Sequence, residues 1–206
     1  TGCKVEYILY PTFEKYIESL IHIKHDISFI PGVYKQSLIK LGYEDLLSIR
    51  IKNSAVYTIT KKSNGINKLP DLLGKTILIL SPFSQSGTLF TQKMDDLNIL
   101  SHVKIEYGQS YSQMLLAVIN DKADAAVIIP VYWNLLDERI RETKLKIIKS
   151  IKAPANGYLI SPNSLYLKAK IIQSLREDTN WNWQKAPEES SSAPILEQFI
   201  NDIRSE

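Results

Sequence analysis

Residues 78–87 read Leu78-Ile79-Leu80-Ser81-Pro82-Phe83-Ser84-Gln85-Ser86-Gly87, an apolar strand pattern that runs into a hydroxyl-rich turn and then a helical pattern. A helix N-terminus has backbone N–H groups without intrahelical partners and carries a partial positive charge. Serine hydroxyls and a nearby glycine would let an anion approach those groups. Serine is also a favoured N-cap. The stretch therefore predicts either an oxyanion site or a capped helix without a ligand.

Strand and helix patterns alternate on both sides of this stretch. Strands are predicted at residues 5–10, 26–30, 76–80, 103–107 and 125–129, and the helical patterns that follow them begin near residues 13, 34, 86, 110 and 132. Such alternation is typical of α/β proteins with mostly parallel sheets. The alternation breaks near residues 46–62 and again near 147–160, where strands follow one another directly. Two breaks predict one lobe inserted into another, with two crossing strands.

One helix has an especially clear local pattern. Its apolar residues Phe13, Tyr16, Ile17 and Leu20 have the i, i+3, i+4, i+7 spacing of a helix face. Thr12 precedes them as a candidate N-cap. The pattern therefore predicts a helix that begins at residue 13.

Composition excludes several classes of protein. The 206 residues include 25 Lys and Arg against 22 Asp and Glu, with no block of like charge, so nucleic acid is not an expected partner. Cys3 has no second cysteine for a disulfide. His22 and His25 have i, i+3 spacing but no third ligand close by, which favours surface histidines over a metal site. No Gly-x-Ser-x-Gly elbow exists. We therefore predict no catalytic residue, no metal and no cofactor.

Several segments resemble the phosphate/phosphite/phosphonate-binding proteins of bacterial ABC transporters. The family's Asp-Leu-x-Gly-Lys turn is matched at residues 71–75, its Ser-Thr-Ser-Gly anion loop at 84–87, its Gly-Ser-His segment at 108–111, and its Ala-Val-x-x-Gly-x-Ala-Asp-Ala-Ala segment at 117–126. A first-lobe segment that leads to a tyrosine is matched by residues 26–29 with Tyr34. The resemblance covers most of residues 4–176, with the motifs in order.

The resemblance implies an α/β type II periplasmic-binding-protein fold, with two lobes, two hinge crossover strands and a ligand cleft between the lobes. Lobe 1 would comprise residues 1–61 and 155–206, without a counterpart of the family's first strand and helix, and lobe 2 residues 66–150. The implied function is extracytoplasmic capture of a small oxyanion, which closes the hinge before the protein docks on an ABC permease. We expect a monomer in the periplasm or another extracytoplasmic location, and leave a membrane anchor open.

The resemblance also supplies the candidate ligand contacts, which are Tyr34, Ser84, Gln85, Ser86, Gly87, Ser110 and Tyr111. This sequence departs from the family at two of them, because Gln85 replaces a threonine and Tyr111 replaces a histidine. The acidic residue that meets the amine of an aminophosphonate falls among residues 129–131, where the chain has Ile-Pro-Val. That departure argues against an aminophosphonate ligand.

Two other functions remain open at this stage. The same fold serves as the ligand-sensing extracytoplasmic domain of membrane receptors such as histidine kinases and cyclases, in which case the partner is the protein's own membrane-anchored signalling module. An enzyme on this fold would need a general acid or base in the cleft, and the sequence offers no convincing one. Tyr57 and Tyr132 also fall where aromatic rings could line a cleft, although most tyrosines in such positions are packing residues.

Overall fold

The computed structural model describes residues 6–22, 25–50, 54–154, 156–162, 168–177, 183–184 and 193–205. The chain divides into two compact units. Unit 1 consists of Thr1–Lys52 and Pro154–Glu206, and unit 2 is the continuous segment Asn53–Ala153. Unit 2 is therefore an insertion into the sequence of unit 1.

The helices and strands are, in chain order, α1 (Phe13–Ile21), β1 (Ser28–Pro31), α2 (Lys35–Lys40), β2 (Tyr43–Arg50), β3 (Ala55–Lys61), β4 (Thr76–Ile79), α3 (Gln85–Asp96), β5 (Lys104–Tyr107), α4 (Tyr111–Ile119), β6 (Ala125–Ile128), α5 (Pro130–Leu135), α6 (Glu138–Thr143), β7 (Leu145–Lys152), β8 (Asn156–Pro162), α7 (Lys168–Glu177), β9 (Trp183–Gln184) and α8 (Pro194–Ser205). Short 3₁₀ turns add Gly32–Tyr34, Lys62–Asn64, Leu69–Leu72 and Leu100–His102.

The described sheet of unit 1 has the strand order β1-β8-β2-β9, and every neighbouring pair is antiparallel. Strand β8 lies between β1 and β2, with Tyr158 opposite both Ile30 and Ser48. The prediction of mostly parallel sheets is therefore wrong for this unit. The reason is that the chain re-enters unit 1 through β8, which runs against both of the strands that precede the insertion.

In the N-terminal segment, one prediction from local sequence is confirmed and another is wrong. Helix α1 begins where the periodicity placed it, and the Thr12 hydroxyl accepts a hydrogen bond from the backbone N–H of Lys15 at 3.3 Å. The strand predicted at residues 5–10 is wrong for its described part, because residues 6–10 form no ladder and Leu9 is 93% exposed. A β-rich sequence becomes a strand only when a partner strand satisfies its backbone groups.

A partly buried ion pair lies in unit 1. The Lys35 ammonium is 2.9 Å from an Asp45 carboxylate oxygen, and the two side chains are 5% and 27% exposed. The same ammonium lies 4.6 Å from the centroid of the Tyr158 ring, a distance at which a cation is attracted to the ring face. Helix α2 is therefore tied to β2 and β8 by charge as well as by packing.

Unit 2 has the strand order β5-β4-β6-β3-β7. The pairs β4–β5 and β4–β6 are parallel, whereas β3 runs antiparallel to β6 and β7. One apolar cluster joins α3 to the sheet through Phe90 and Met94, and another joins α4 through Met114 and Val118. Because parallel strands end at the same edge of a sheet, the first turns of α3, α4 and α5 follow one common edge of unit 2.

No helix in the described part of the chain has the length and apolar character needed to cross a membrane.

Candidate functional site

The first turn of α3 is fixed by a serine cap. Ser84 is the N-cap residue, and its hydroxyl oxygen accepts a hydrogen bond from the backbone N–H of Gly87 at 3.0 Å. The same hydroxyl donates to the Ser81 carbonyl oxygen at 2.7 Å. A Cβ atom at Gly87 would lie 2.0 Å from that carbonyl oxygen, so only glycine fits there without a backbone shift. The helix start is therefore packed tightly onto the loop that precedes it.

A chain of hydroxyl groups extends from this cap. The oxygens of Ser84 and Ser86 are 3.1 Å apart, and those of Ser86 and Tyr111 are 2.9 Å apart. Each hydroxyl has one proton to donate. Because the proton of Ser84 goes to the Ser81 carbonyl, the 3.1 Å contact needs Ser86 as its donor. Tyr111 must then donate to Ser86. The hydrogen bonds therefore run in one direction, from Tyr111 to Ser86, from Ser86 to Ser84 and from Ser84 to the Ser81 carbonyl oxygen.

The environment of Tyr111 keeps its phenol protonated. Tyr111 is 8% exposed, and this burial raises the pKa of its phenol, partly offset by its hydrogen bond with Ser86. The ring centroid lies 4.7 Å from that of Tyr132, with the planes tilted by 46°. That geometry is a favourable one for an aromatic pair. Tyr111 is therefore a neutral hydrogen-bond donor held in place by a second ring.

The common edge of unit 2 is uncharged where the parallel strands end. The described residues 80–88, 108–114 and 129–134, which link β4, β5 and β6 to their helices, contain no Asp, Glu, Lys, Arg or His. The antiparallel strand β7 brings exposed Lys149 and Lys152 opposite Thr58 and Ala55 of β3. On the other side of the sheet, Glu106 is the penultimate residue of β5, and its carboxylate is paired with the Lys104 ammonium at 2.6 Å.

The sequence as a whole was compared with known proteins. The family described as "ABC transporter, phosphonate, periplasmic substrate-binding protein" matches residues 1–185. The chain belongs to this family. The proteins of the family bind a substrate for transport and are not enzymes, and the match supports transport over a receptor domain. Membership implies a small-molecule ligand, a permease partner and an extracytoplasmic location. A search of curated proteins found no match.

Solved structures with the same fold include PhnD1 from Prochlorococcus marinus in complex with methylphosphonate, with a TM-score of 0.71 and 13% identity over 98% of this chain and 87% of that one. XAC2383 from Xanthomonas citri bound to ATP has a TM-score of 0.71 and 12% identity over 97% and 86% of the two chains. A binding protein component of an ABC phosphonate transporter from Pseudomonas aeruginosa has a TM-score of 0.62 and 18% identity over 86% and 63%. These likenesses show a type II periplasmic-binding-protein fold.

In this substrate-binding protein, four of the candidate contacts form one cluster: Ser84, Ser86, Gly87 and Tyr111. Gln85 is the half-buried first residue of α3. Tyr34 is fully buried in unit 1, in the turn before α2. A role in ligand binding stays a prediction for each of them.

Ser110 has a structural role that its sequence pattern could have predicted. It is the N-cap of α4, where its hydroxyl accepts from the backbone N–H of Gln113 at 3.2 Å. The Gln113 side chain accepts in return from the N–H of Gln109 at 2.9 Å. Ser-x-x-Gln is the pattern of a capping box. Ser110 is exposed, and a ligand contact from its hydroxyl remains a prediction.

Sequence analysis missed the pairing of Tyr132 with Tyr111. Tyr132 was noted only as an aromatic residue near a helix start, and nothing local indicated its partner. The strand order β5-β4-β6 brings the two rings together, since α4 and α5 follow strands on either side of β4. Helix α5 begins with Pro130 after the N-cap position Ile129, so a hydrophobic residue and a proline hold the place where aminophosphonate binders have an acid.

The His25 side chain is engaged in other contacts. The His25 ring nitrogen Nε2 is hydrogen-bonded to the Tyr10 phenol and lies 3.2 Å from the Ser19 hydroxyl. Within the described residues, no group of three or more His, Cys, Asp and Glu side chains is arranged to hold a metal ion.

Proposed function

We propose that this protein captures a phosphonate- or phosphate-type oxyanion at the first turn of α3 and delivers it to an ABC permease. The observation that carries the proposal is the hydroxyl chain from Tyr111 through Ser86 to Ser84, at the N-terminus of a helix. A helix N-terminus is favourable for an anion because of its N–H groups and its dipole. Membership of a phosphonate-binding family supports the choice of anion.

The hydroxyl chain suggests how an anion would be accommodated. Without a ligand, the Tyr111 proton points to Ser86 and every hydroxyl in the chain has an acceptor. An arriving oxyanion is a stronger acceptor than a serine oxygen, because hydrogen bonds to ions are roughly twice as strong as neutral ones. Tyr111 would turn its proton from Ser86 to the anion, while the remaining links of the chain stay intact. The site exchanges one hydrogen bond for a stronger one and needs no large rearrangement.

Gln85 and Ser110 lie next to this cluster along the chain, and we propose both as further contacts. Tyr34 belongs to unit 1, and we propose that it contributes a contact from that unit. The hinge closure that the family resemblance implies also stays a prediction. Small-angle X-ray scattering with and without methylphosphonate measures it, since closure lowers the radius of gyration.

The location and the state of assembly are part of the proposal. We propose a periplasmic site of action, either as a released protein or on a membrane anchor. We further propose a monomer with no nucleic-acid partner, which light scattering of the purified chain tests.

The experiment is isothermal titration calorimetry with methylphosphonate, phosphate, sulfate and ATP. ATP is included because a solved structure with this fold is bound to it. Tyr111→Phe should weaken binding of the preferred anion by about 1.5–3 kcal/mol, because it removes the phenolic donor that turns to the anion. Ser112→Ala, which removes an exposed hydroxyl of the same helix, is the control. Unchanged binding in Tyr111→Phe, or no binding of any anion by the original protein, would contradict the proposal.

A further inference from the structure

The substituent of the ligand can be inferred from the surroundings of the hydroxyl chain, on the assumption that the proposed function holds. Tyr111 connects two features of unit 2. Its hydroxyl is bonded to Ser86, while its ring lies 4.7 Å from the Tyr132 ring. An oxyanion at the hydroxyl would therefore have an aromatic pair beside it. Tyr132 is half-buried, so part of its ring remains accessible.

The chemistry of the rest of this edge is apolar or neutral. Pro130 begins α5 after the N-cap residue Ile129, and Ile129 and Tyr132 pack against the apolar cluster around α4. The strand ends here are surrounded by the described residues 54–58, 80–88, 108–114, 129–134 and 149–154. None of these residues is an Asp or a Glu. The ionic side chains within these ranges are lysines. The carboxylate of Glu106, near the end of β5, is already paired with the Lys104 ammonium at 2.6 Å. An ammonium group on the ligand would therefore find no counter-ion in these ranges.

We infer that the natural ligand carries an uncharged apolar or aromatic substituent beside its oxyanion, and that Tyr132 selects for this substituent. An ammonium group moved from water to this edge would lose hydration without gaining a carboxylate, which costs free energy. An apolar group would gain contact with aromatic rings. The ligand class is thus an alkyl- or aryl-phosphonate or the corresponding phosphate ester, and not an aminoalkyl compound.

The test uses two ligands that differ in one group. Propylphosphonate and 2-aminoethylphosphonate have chains of the same length, and a methyl group in the first replaces an ammonium group in the second. Calorimetry with the full chain should give a dissociation constant about tenfold or more lower for propylphosphonate, because its terminal group needs no counter-ion. Equal affinity, or tighter binding of 2-aminoethylphosphonate, would overturn the inference while leaving the proposed function intact. Failure of both ligands, together with methylphosphonate and phosphate, would overturn the proposed function itself.

The role of Tyr132 has its own test. Tyr132→Ala should weaken binding of phenylphosphonate about threefold to tenfold, because an aromatic contact is lost, and should leave methylphosphonate binding within about twofold. Leu135→Ala, which truncates a 75% exposed side chain of the same helix, is the matched control. If Tyr132→Ala weakens both ligands equally, Tyr132 acts only on the structure and the assignment is wrong. Tyr132→Leu, which keeps apolar volume, replaces the alanine variant if the latter does not fold.

Discussion

The Ser86 hydroxyl oxygen lies 2.9 Å from the phenolic oxygen of Tyr111, so a hydrogen bond joins the first turns of α3 and α4. These helices follow β4 and β5, which are neighbouring parallel strands. The bond therefore links two strand-to-helix units at the edge where their strands end. Both partners are buried, so this contact holds the local geometry. It is also the bond with which an anion would compete under the proposed function.

Tyr111→Phe tests the structural part of this bond. The substitution keeps the ring beside Tyr132 and removes the donor at the head of the hydroxyl chain. We expect the free energy of unfolding to fall by about 1 kcal/mol, and methylphosphonate binding to weaken. Urea denaturation measures the first effect. Tyr107→Phe, at a 66% exposed tyrosine, is the control. Equal stability of the two variants would mean that the Ser86–Tyr111 bond contributes nothing.

Gly87→Ala tests the packing of the α3 start. The added methyl group would lie 2.0 Å from the Ser81 carbonyl oxygen, which belongs to the backbone and cannot rotate away. We expect a loss of about 1–3 kcal/mol in the free energy of unfolding, together with loss of methylphosphonate binding. The control is Gln92→Ala, at an exposed residue of the same helix. Unchanged stability of Gly87→Ala would show that the backbone at Ser81 shifts at little cost in free energy.

The partly buried ion pair of unit 1 allows the stabilities of three variants to be ranked. Asp45→Asn removes the carboxylate that faces the buried Lys35 ammonium, which should lower the free energy of unfolding by about 1.5–3 kcal/mol. Lys35→Met removes the buried charge and keeps an apolar chain over Tyr158, so it should cost less. The free energy of unfolding of the double variant should be close to that of Lys35→Met. Urea unfolding of the three variants gives the order, and a Lys35→Met protein less stable than Asp45→Asn would contradict it.

Buried tyrosines predict a loss of stability at alkaline pH. Burial raises the pKa of Tyr43 from 10.0 to about 12, and it also raises the pKa values of Tyr16 and Tyr111. The unfolded chain then loses tyrosine protons at a lower pH than the native chain does. Stability is therefore fully present below pH 10 and falls as pH rises toward the native pKa values.

Tyr43→Phe isolates the contribution of one residue. At neutral pH it should cost about 1 kcal/mol, because the phenol no longer donates to the Leu20 carbonyl oxygen. Above pH 10 the gap to the original protein should close and then reverse, because the unfolded chain loses the Tyr43 proton at a lower pH than the native chain does. Urea titrations at several alkaline pH values measure the gap. A gap that stays constant with pH would contradict the assigned pKa.

Features encoded locally could be predicted from the sequence. The start of α1 follows from its periodicity and from Thr12, and Ser84 is the N-cap that the hydroxyl-rich turn allowed. In both cases the donor, the acceptor and the helix lie within four residues of one another. The family and its fold were also predictable, because several weak motifs occur in the correct order.

Features that depend on strand partners could not be predicted. Residues 6–10 have β-forming side chains but no ladder, since local propensity carries no information on whether a partner is present. The antiparallel sheet of unit 1 depends on where β8 returns, about 100 residues after β2. The Tyr111–Tyr132 pair likewise depends on the order of strands in unit 2.

The position of β8 has a consequence for biosynthesis. This strand pairs with both β1 and β2, yet it follows the whole of unit 2 in the chain. On the ribosome, β1 and β2 are made first but must wait for β8, whereas the continuous segment of unit 2 can fold as soon as it emerges. The part of the protein that is translated first is thus completed last, and β1 and β2 keep unpaired edges for as long as unit 2 is being made.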